Sequence, residues 1–268
     1  MKLHQIFIYP VKSCRGIALT KANVGRFGLE WDRRWMIVDA NGSFLTQRKH
    51  SKMAMIQPHL SDSGVLLNAP NMPELEIVSD GLGEDIQVEV WGDQVLAENC
   101  GQQAAQWWSE YLGEPATMVF MPDHGLRQVS LKYAEQGNHV GFADGFSLLV
   151  ISKSSLDDLN QHLSEDVDMR RFRPNIVVDD CEAFAEDTIK KLQINDIEFS
   201  VVKPCSRCVM LRVNPDTGMQ DKIDPLTALA KYRRDLFGHK GIFFGQNLVH
   251  HKEGEIAVGN EIKLLGLN

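Results

Sequence analysis

The sequence predicts a mainly β fold with a few helices, in the α+β class. Three observations support this prediction: short apolar runs recur at close spacing, an Asn-Gly turn separates two of them, and helical periodicity is confined to three segments. Short strands at such spacing are typical of a β-barrel or β-sandwich. With 268 residues, the chain is long enough for one large domain or two modest ones, each with its own core.

Strand signals dominate the first part of the chain. The first predicted strand covers residues 3–8 and ends before Tyr9-Pro10. Residues 34–39 and 43–46 flank Asn41-Gly42, a dipeptide typical of two-residue hairpin turns, so they are predicted to pair. Three more short strands, separated by Gly, Pro and Asp, are predicted at residues 65–67, 75–78 and 86–90. This part is therefore predicted to be almost entirely β.

The rest of the chain alternates predicted helices and strands. Helical periodicity predicts helices over residues 101–112, from Ser154 or Ser155 to Leu163, and onward from Asp224-Pro225, where an N-cap residue precedes a first-turn proline. Strands are predicted at residues 175–178, 192–194, 197–202 and 209–213. A domain boundary is predicted near residues 95–125, although this stretch does not have the composition of a flexible linker.

The charges are distributed unevenly. The net charge is −8, yet residues 53–126 contain 12 acidic residues and no Lys or Arg, so the remainder carries 28 basic against 24 acidic residues, a balance of +4. The overall sign argues against a general binder of nucleic acids or membrane surfaces. The acidic segment is interpreted as a solvated rim, or as a docking face for a basic region of a partner protein. The basic remainder is able to bind an anion.

The composition also predicts the cellular environment. No apolar run approaches the roughly 20 residues needed to cross a membrane, and the amino terminus lacks the features of a signal peptide. The cysteines are odd in number and mostly scattered: Cys14, Cys100, Cys181, Cys205 and Cys208. Such a pattern is typical of reduced thiols rather than of a disulfide framework, so the predicted location is the cytoplasm.

The most informative segment is the Cys205-Ser-Arg-Cys208 motif, with Lys203 just before it. Cationic neighbours favour the thiolate, which is both a nucleophile and a metal ligand. A thioredoxin-type pair requires a helix after the motif, whereas residues 209–213 are predicted to be a strand. A structural zinc site requires four ligands, and no second cysteine pair is available. The remaining alternatives are a single thiolate ligand to a softer, redox-active metal, or two buried structural cysteines.

Two further segments gather polar and cationic groups beside predicted strands. Lys12 and Ser13 follow the first strand, in a loop that suits a phosphate group, although an ordinary polar turn is an alternative. Residues 169–175 contain three arginines in four positions before an apolar strand, which suits an anion clamp, although a solvated face is an alternative. More cations occur at residues 32–35 and 46–49, so the basic remainder is concentrated in these runs.

Taken together, these motifs resemble those of a known family. The residues that carry the resemblance are Tyr9-Pro-Val-Lys-Ser-Cys14, Asp32-Arg-Arg-Trp35, Phe172-Arg-Pro-Asn175, Ala185-Glu-Asp187, Cys205-Ser-Arg-Cys208, Asn214-Pro-Asp-Thr-Gly218 and Phe244-Gly-Gln246. They are collinear and span nearly the whole chain. The family has an amino-terminal β-barrel domain followed by a molybdenum-cofactor-sulfurase carboxy-terminal (MOSC) domain, and it includes the mitochondrial amidoxime-reducing components and their bacterial counterparts.

The resemblance implies a domain organisation and a cofactor. It implies a β-barrel-like domain at residues 1–120 and a MOSC β-barrel domain at residues 121–268. It also implies a molybdenum cofactor, a pyranopterin that holds molybdenum, with Cys208 as the protein ligand to the metal. The residues at positions similar to cofactor contacts are Lys12, Ser13, Arg34, Arg173, Asn175, Ser206 and Arg207. Asp216 is the carboxylate expected to orient the site or handle protons, although it also suits a turn.

The implied function is reduction of N-hydroxylated compounds such as amidoximes and N-hydroxylaminopurines, by removal of the N–OH oxygen. Because no cysteine follows Cys208, no iron–sulfur cluster is expected in this chain, and electrons are expected from a separate flavin, iron–sulfur or haem protein. No nucleic acid or membrane partner is expected. Two alternatives remain open: a sulfur carrier that holds a cysteine persulfide, and a protein that binds the cofactor without catalysis.

Overall fold

The computed structural model describes residues 1–80 and 82–267, and in this part of the chain the fold is mainly β. The strands, numbered in chain order, are β1 Lys2–Ile8, β2 Ile17–Leu19, β3 Lys21–Gly25, β4 Gly28–Leu29, β5 Trp35–Val38, β6 Gln57–Ser61, β7 Gly64–Asn68, β8 Leu75–Val78, β9 Asp85–Val90, β10 Asp93–Asn99, β11 Thr117–Phe120, β12 Leu148–Ser152, β13 Ile176–Asp179, β14 Ile189–Ile194, β15 Ile197–Ser206, β16 Phe243–His250, β17 Gly254–Ala257 and β18 Ile262–Leu267. The predicted fold class, mainly β with a few helices, is confirmed.

The largest sheet has eight strands in the order β18-β14-β15-β16-β12-β13-β1-β2. Strand β1 pairs antiparallel with β13, and β12 pairs parallel with β13. Apolar side chains from the first and the second half of the chain pack together over this sheet, among them Ile6, Ile176 and Leu248. The first strand of the chain is therefore part of a sheet that is otherwise built mostly from residues beyond 147.

Three smaller sheets complete the β structure of the described residues, in the orders β5-β11-β10-β9, β17-β3-β4 and β6-β7-β8. A second core lies against the first of them and includes Trp35, Trp108 and Met118. The predicted Asn41-Gly42 turn is present, but only Ser43 and Phe44 after it form isolated bridges, so the predicted strand at 43–46 is shorter than expected. The division into residues 1–120 and 121–268 stays a prediction, and the pairing of β1 with β13 crosses it.

The helices agree with the prediction in position and differ at their ends. They are α1 Gln102–Leu112, α2 Lys153–Gln161 and α3 Pro225–Ala230. Asp224 caps α3 as predicted, since its side chain accepts a hydrogen bond from the backbone nitrogen of Thr227. The cap of α2 is Ser152, whose hydroxyl accepts from the backbone nitrogen of Ser155; the prediction of Ser154 or Ser155 was therefore wrong. The last residue of β12 supplies this cap, so the helix starts directly at the strand end. No helix of the described residues is long and apolar enough to span a membrane.

The strand predicted at residues 209–213 is wrong. Residues Val209–Arg212 form a 3₁₀ helix, closed by backbone hydrogen bonds from Leu211 to Cys208 and from Val213 to Met210. A short run rich in Val and Leu suits either a strand or a buried turn of helix, and periodicity alone does not separate them. Here Leu211 is buried, and its carbonyl accepts a hydrogen bond from Arg171. A thioredoxin-type cysteine pair was excluded from the sequence because a strand was predicted after the motif. Since a turn of 3₁₀ helix follows the motif instead, that exclusion does not hold.

His250 makes the fold sensitive to acid. Its Nε2–H donates to the carbonyl of Gly25 at 2.8 Å, while Nδ1 is buried with no partner among the described residues. Burial, followed by the charge of the nearby His251, lowers the pKa of His250 to about 4. Because the unfolded chain titrates near 6.5, the stabilising effect of neutral His250 is complete above pH 6.5 and is lost as the pH falls towards 4.

We expect the free energy of unfolding to fall by about 2 kcal/mol between pH 7 and pH 5 because of this histidine. Urea unfolding at the two pH values measures the loss, and His250→Gln, which keeps a donor for Gly25, is the matched variant. The loss of unfolding free energy in wild type minus the loss in His250→Gln is the contribution of His250. Parallel pH profiles for wild type and His250→Gln would contradict this assignment.

Candidate functional site

The two cysteines of the Cys-x-x-Cys motif each lie beside their own arginine. Cys205 is near the end of β15, and its Sγ accepts a hydrogen bond from Arg207 Nη1 at 2.9 Å. Cys208 precedes the 3₁₀ helix, and its Sγ accepts from Arg48 Nη2 at 3.5 Å. A guanidinium at this distance stabilises negative charge on sulfur. Both side chains are partly exposed, so they are accessible to a ligand.

The other three cysteines are different. Burial raises the pKa of Cys14, of Cys100 and of Cys181 above the ordinary value for a thiol. Cys14 is fully buried, whereas Cys100 and Cys181 are partly exposed, and a thiol whose pKa is raised stays protonated and reacts poorly as a nucleophile. Cys205 and Cys208 are therefore the thiols suited to chemistry.

Lys12 is held near Cys208 through a shared carboxylate. Its Nζ donates to Asp144 Oδ1 at 2.6 Å and to the carbonyl of Phe142 at 2.8 Å. Arg48, which contacts the Cys208 sulfur, lies 3.8 Å from the other oxygen of Asp144. Burial lowers the pKa of Lys12, and the ion pair with Asp144 opposes this shift. Lys12, Arg48 and the Cys208 thiol are thus brought together, although they are far apart in sequence.

A stack of one tyrosine and two arginines forms the second part of the site. The guanidinium carbons of Arg33 and Arg173 each lie 4.2 Å from the ring centroid of Tyr9. Arg33 is paired with the buried carboxylate of Asp32 at 2.6 Å. Arg173 forms no ion pair with a described residue, and its Nη1 donates to the carbonyl of Cys14 at 2.6 Å. Burial, together with Arg33, lowers the pKa of Arg173 to about 10. Arg173 is therefore the arginine of this stack that lacks an anionic partner among the described residues.

The stack opens into a cleft between the start of the chain and the segment after Cys208. The residues that line it are Tyr9, Arg15, Gly16, Gln47, Ala54, Gln57, Arg170, Arg171, Arg173, Met210, Val213 and Pro215. The hydroxyl of Tyr9 is buried and has no hydrogen-bond partner among the described residues. Such an orphaned group calls for a ligand or ordered water. Three of the four lining arginines are paired with Asp216 or Asp221, so Arg173 and the unpaired hydroxyl are the groups that this cleft offers to a polar anion.

Asp216 lies at the rim of this cleft. Its carboxylate accepts two hydrogen bonds from Arg170, at 3.0 and 3.1 Å, and one from Arg15 at 3.1 Å. Hydrogen bonds from Arg170, followed by the charges of Arg170 and Arg15, lower the pKa of Asp216 against the effect of burial. The carboxylate is therefore ionised at neutral pH. Of the two roles expected for Asp216, its geometry suits orientation of the arginines better than proton donation.

The structure brings most of the predicted contact residues to this region. The buried amide of Asn175 accepts a hydrogen bond from Arg33 and donates to the carbonyl of Phe7. Ser13 adopts a left-handed backbone conformation with φ 70°, and its carbonyl accepts from Gln47. Ser206 is exposed at the end of β15, between Cys205 and Arg207. Of these three residues, Asn175 contacts the arginine stack directly, through Arg33.

Arg34 lies elsewhere. Its guanidinium donates to the carbonyl of Met121 and to Asp123, and it lines a separate pocket with Trp31 and Glu98. Among the described residues, its neighbour Arg33 contacts Tyr9 and Asn175 instead. Sequence reasoning noted the cationic runs at 32–35 and 46–49 without selecting Arg33 or Arg48. The cationic runs indicated the right segments, but the direction in which each neighbouring arginine side chain points depends on the backbone conformation.

Comparisons with known proteins agree with this architecture. The family profile of the MOSC N-terminal beta barrel domain matches residues 1–115, and that of the MOSC domain matches residues 137–263. Mitochondrial amidoxime-reducing component 1 of Mus musculus is 33% identical over 279 residues, covering 98% of this chain and 82% of that protein. The protein of the same name from Homo sapiens is 32% identical, with the same coverage.

This chain belongs to the amidoxime-reducing component family of MOSC-domain proteins. Mitochondrial amidoxime reducing component 2 of Rattus norvegicus is also 32% identical, over 96% of this chain and 81% of that protein. A solution structure of a Bordetella bronchiseptica protein covers 40% of this chain and 93% of its own, at 24% identity and a TM-score of 0.31. The resemblance predicted from the sequence motifs is therefore confirmed.

As a member of this family, the chain can be tested for its fit to a molybdenum cofactor. No cluster of three or more His, Cys, Asp or Glu side chains suited to a metal ion occurs in residues 1–80 and 82–267. The donor that the site offers is the Cys208 thiol, and a thiolate suits a soft metal. The arginine stack on Tyr9, with its orphaned hydroxyl, offers donors for a phosphate group. The residues present therefore fit a metal that needs a single protein thiolate and an anionic organic ligand.

Proposed function

We propose that this protein is a molybdenum-cofactor-dependent reductase of N-hydroxylated compounds, namely amidoximes and N-hydroxylaminopurines. The observation that carries the proposal is the partly exposed Cys208 thiol beside Arg48, next to an arginine-lined cleft. Membership of the amidoxime-reducing component family supports it, since the names of the relatives describe amidoxime reduction. When bound, the cofactor supplies the two-electron chemistry that removes the N–OH oxygen.

The proposal assigns a role to each part of the site. Cys208 is the metal ligand, and Arg48 stabilises its negative charge. Arg173 and Arg33, which stack on Tyr9, bind the phosphate of the cofactor together with Ser13. Further contacts are proposed for Lys12, Asn175, Ser206 and Arg207. Asp216 holds Arg15 and Arg170 at the rim, so we assign it a positioning role.

Electrons are proposed to come from a separate flavin, iron–sulfur or haem protein. The acidic residues Glu84, Asp85 and Glu89 are exposed around β9, which is the edge strand of its sheet. Charged residues on an edge strand also discourage unwanted strand pairing, so a solvated rim explains them equally well. The proposed location is the cytoplasm, on the basis of the scattered free cysteines. The names of the relatives place those proteins in mitochondria.

The test of the proposed function combines metal analysis with an activity assay. Protein purified from a host that makes the cofactor is expected to contain molybdenum and to reduce an N-hydroxylaminopurine with a chemical reductant. The control is protein from a host unable to make the cofactor. Bound molybdenum without any reduction would indicate a protein that only binds the cofactor. Absence of molybdenum would exclude the proposal.

A sulfur carrier is the second candidate function, and one observation favours it. Cys205 has its own arginine partner at 2.9 Å, closer than the arginine of Cys208. A partly exposed thiol beside an arginine is suited to hold a persulfide. Mass spectrometry of the intact protein would then show a labile extra sulfur that is lost on reduction. The same mass for oxidised and reduced protein would exclude this candidate.

Substitution of Arg33 and of Arg34 tests which of these two arginines contacts the cofactor. The resemblance to the family assigns this contact to Arg34, whereas the structure places Arg33 in the stack on Tyr9. Because Arg33 stacks on Tyr9 and Arg34 does not, we expect Arg33→Lys to weaken retention of molybdenum about tenfold on dilution, and Arg34→Lys to change it less than twofold. Lysine keeps the positive charge beside Asp32 in Arg33→Lys and beside Asp123 in Arg34→Lys, so we expect the fold to persist in both variants. Molybdenum per folded protein is the measurement. A greater loss of molybdenum in Arg34→Lys than in Arg33→Lys would favour Arg34 as the cofactor contact.

A further inference from the structure

Trp91 occupies an unusual position at the tip of a hairpin. It lies in the two-residue turn between β9 and β10, with φ 55° at Trp91 and 87° at Gly92. Turns with two left-handed residues normally use Asn, Asp or Gly, because bulky side chains are strained in this conformation. Strain of this kind persists where the surrounding structure imposes it, often at functional sites. The indole is also 50% exposed.

Three contacts hold the indole in place. Its Nε1–H donates to Asp144 Oδ1 at 3.0 Å, the Arg48 guanidinium lies 4.9 Å from the ring centroid, and the Phe44 ring is 5.0 Å away. Asp144 is also the ion-pair partner of Lys12. The hairpin tip is therefore anchored to the groups that surround Cys208, whereas half of the indole surface faces solvent.

This arrangement places an immobilised aromatic surface beside the thiol. Arg48 contacts both the indole ring and the Cys208 sulfur and so lies between them, and the indole surface available for stacking is the exposed part that Arg48 and Phe44 leave uncovered. Indole faces stack well on planar heterocycles and attract cationic groups. N-hydroxylated purines and aromatic amidoximes are planar, and an aromatic surface at the mouth of the site would orient their N–OH group towards its centre.

We propose that Trp91 forms a stacking wall of the substrate site and selects planar, aromatic N-hydroxylated compounds. This inference rests on the proposed function. Trp91 acts by stacking on the substrate, so its loss weakens binding of planar substrates and leaves the reaction of compact ones unchanged. The acidic segment thus contributes a substrate-binding residue at the tip of one hairpin.

The test compares Trp91→Ala and Trp91→Phe with wild type on two substrates, an N-hydroxylaminopurine and the compact, non-aromatic N-hydroxyurea. We expect Trp91→Ala to raise KM for the purine by about 5- to 100-fold, with kcat within about twofold, and Trp91→Phe to raise it less. N-hydroxyurea kinetics stay within about twofold. Leu96→Ala is the matched control, because Leu96 is 47% exposed on β10 of the same hairpin and lies four residues beyond the Gly92 of its turn.

A binding measurement separates this inference from the proposed function. Titration calorimetry with adenine, which has the planar ring without the N–OH group, is expected to show the same fold increase in Kd for Trp91→Ala, with or without reductase activity. Unchanged KM and Kd would overturn the stacking wall. An equal loss with N-hydroxyurea would also overturn it, because Trp91 would then act only by holding Asp144 and Arg48. If the wild type reduces neither substrate, the proposed function fails, while the adenine titration still decides the role of Trp91.

Discussion

Cys208→Ser is expected to lower the rate of N-hydroxylaminopurine reduction by more than about 100-fold. This effect is larger than that of removing a residue that only hydrogen-bonds to a metal ligand. Serine presents a hard, protonated hydroxyl where a soft metal requires a thiolate. The fold is expected to persist, because Cys208 lies outside the core and its sulfur contacts Arg48 at 3.5 Å. Steady-state kinetics, molybdenum content and thermal unfolding are the measurements.

Cys205→Ser is the matched control for this variant. It changes the same atom three residues away, where the sulfur contacts Arg207. If Cys208 is the metal ligand, the activity of Cys205→Ser is expected to stay within about tenfold of wild type. This is no larger than the effect of removing a residue near the metal that does not bind it. Full activity in Cys208→Ser would remove the ligand assignment. Loss of persulfide in Cys205→Ser, with no reductase activity in wild type, would favour the sulfur carrier.

Gly245→Ala is expected to destabilise the protein by about 2–5 kcal/mol, the combined effect of backbone strain and overpacking. Gly245 has φ 80°, and a Cβ there would lie 2.6 Å from Ile151 Cγ1 and 2.8 Å from the carbonyl oxygen of Val150. Both neighbours belong to β12, which pairs with β16 in the middle of the eight-stranded sheet, so neither can move away. Urea unfolding is the measurement.

Gly145→Ala is the comparison for this change. A Cβ at Gly145 meets no atom within 4 Å and its backbone is not left-handed, so the change is expected to stay within about 0.5 kcal/mol of wild type. The two variants add the same methyl group and differ only in their surroundings. A Gly245→Ala protein as stable as Gly145→Ala would show that β12 and β16 separate more easily than their pairing indicates.

Local signals were sufficient for most of the secondary structure. The strand at 3–8, the Asn41-Gly42 turn and the Asp224 cap were predicted because alternation, turn dihedral angles and capping depend on neighbouring residues. Residues 209–213 and the cap of α2 were not, because these depend on contacts from Arg171 and on where β12 ends. A run of five residues rich in Val and Leu does not reveal which of its carbonyls a distant arginine will contact.

The sequence by itself determined the family and the mainly β class, because motifs in order along the chain carry that information without coordinates. Only the tertiary structure decided that Arg33 and not Arg34 stacks on Tyr9, and that Arg48 and Trp91 lie beside Cys208. These contacts join residues separated by 24 to 160 positions along the chain. They exist because β1 is inserted beside β13 and the β9–β10 hairpin reaches Asp144, and no local pattern encodes such pairings.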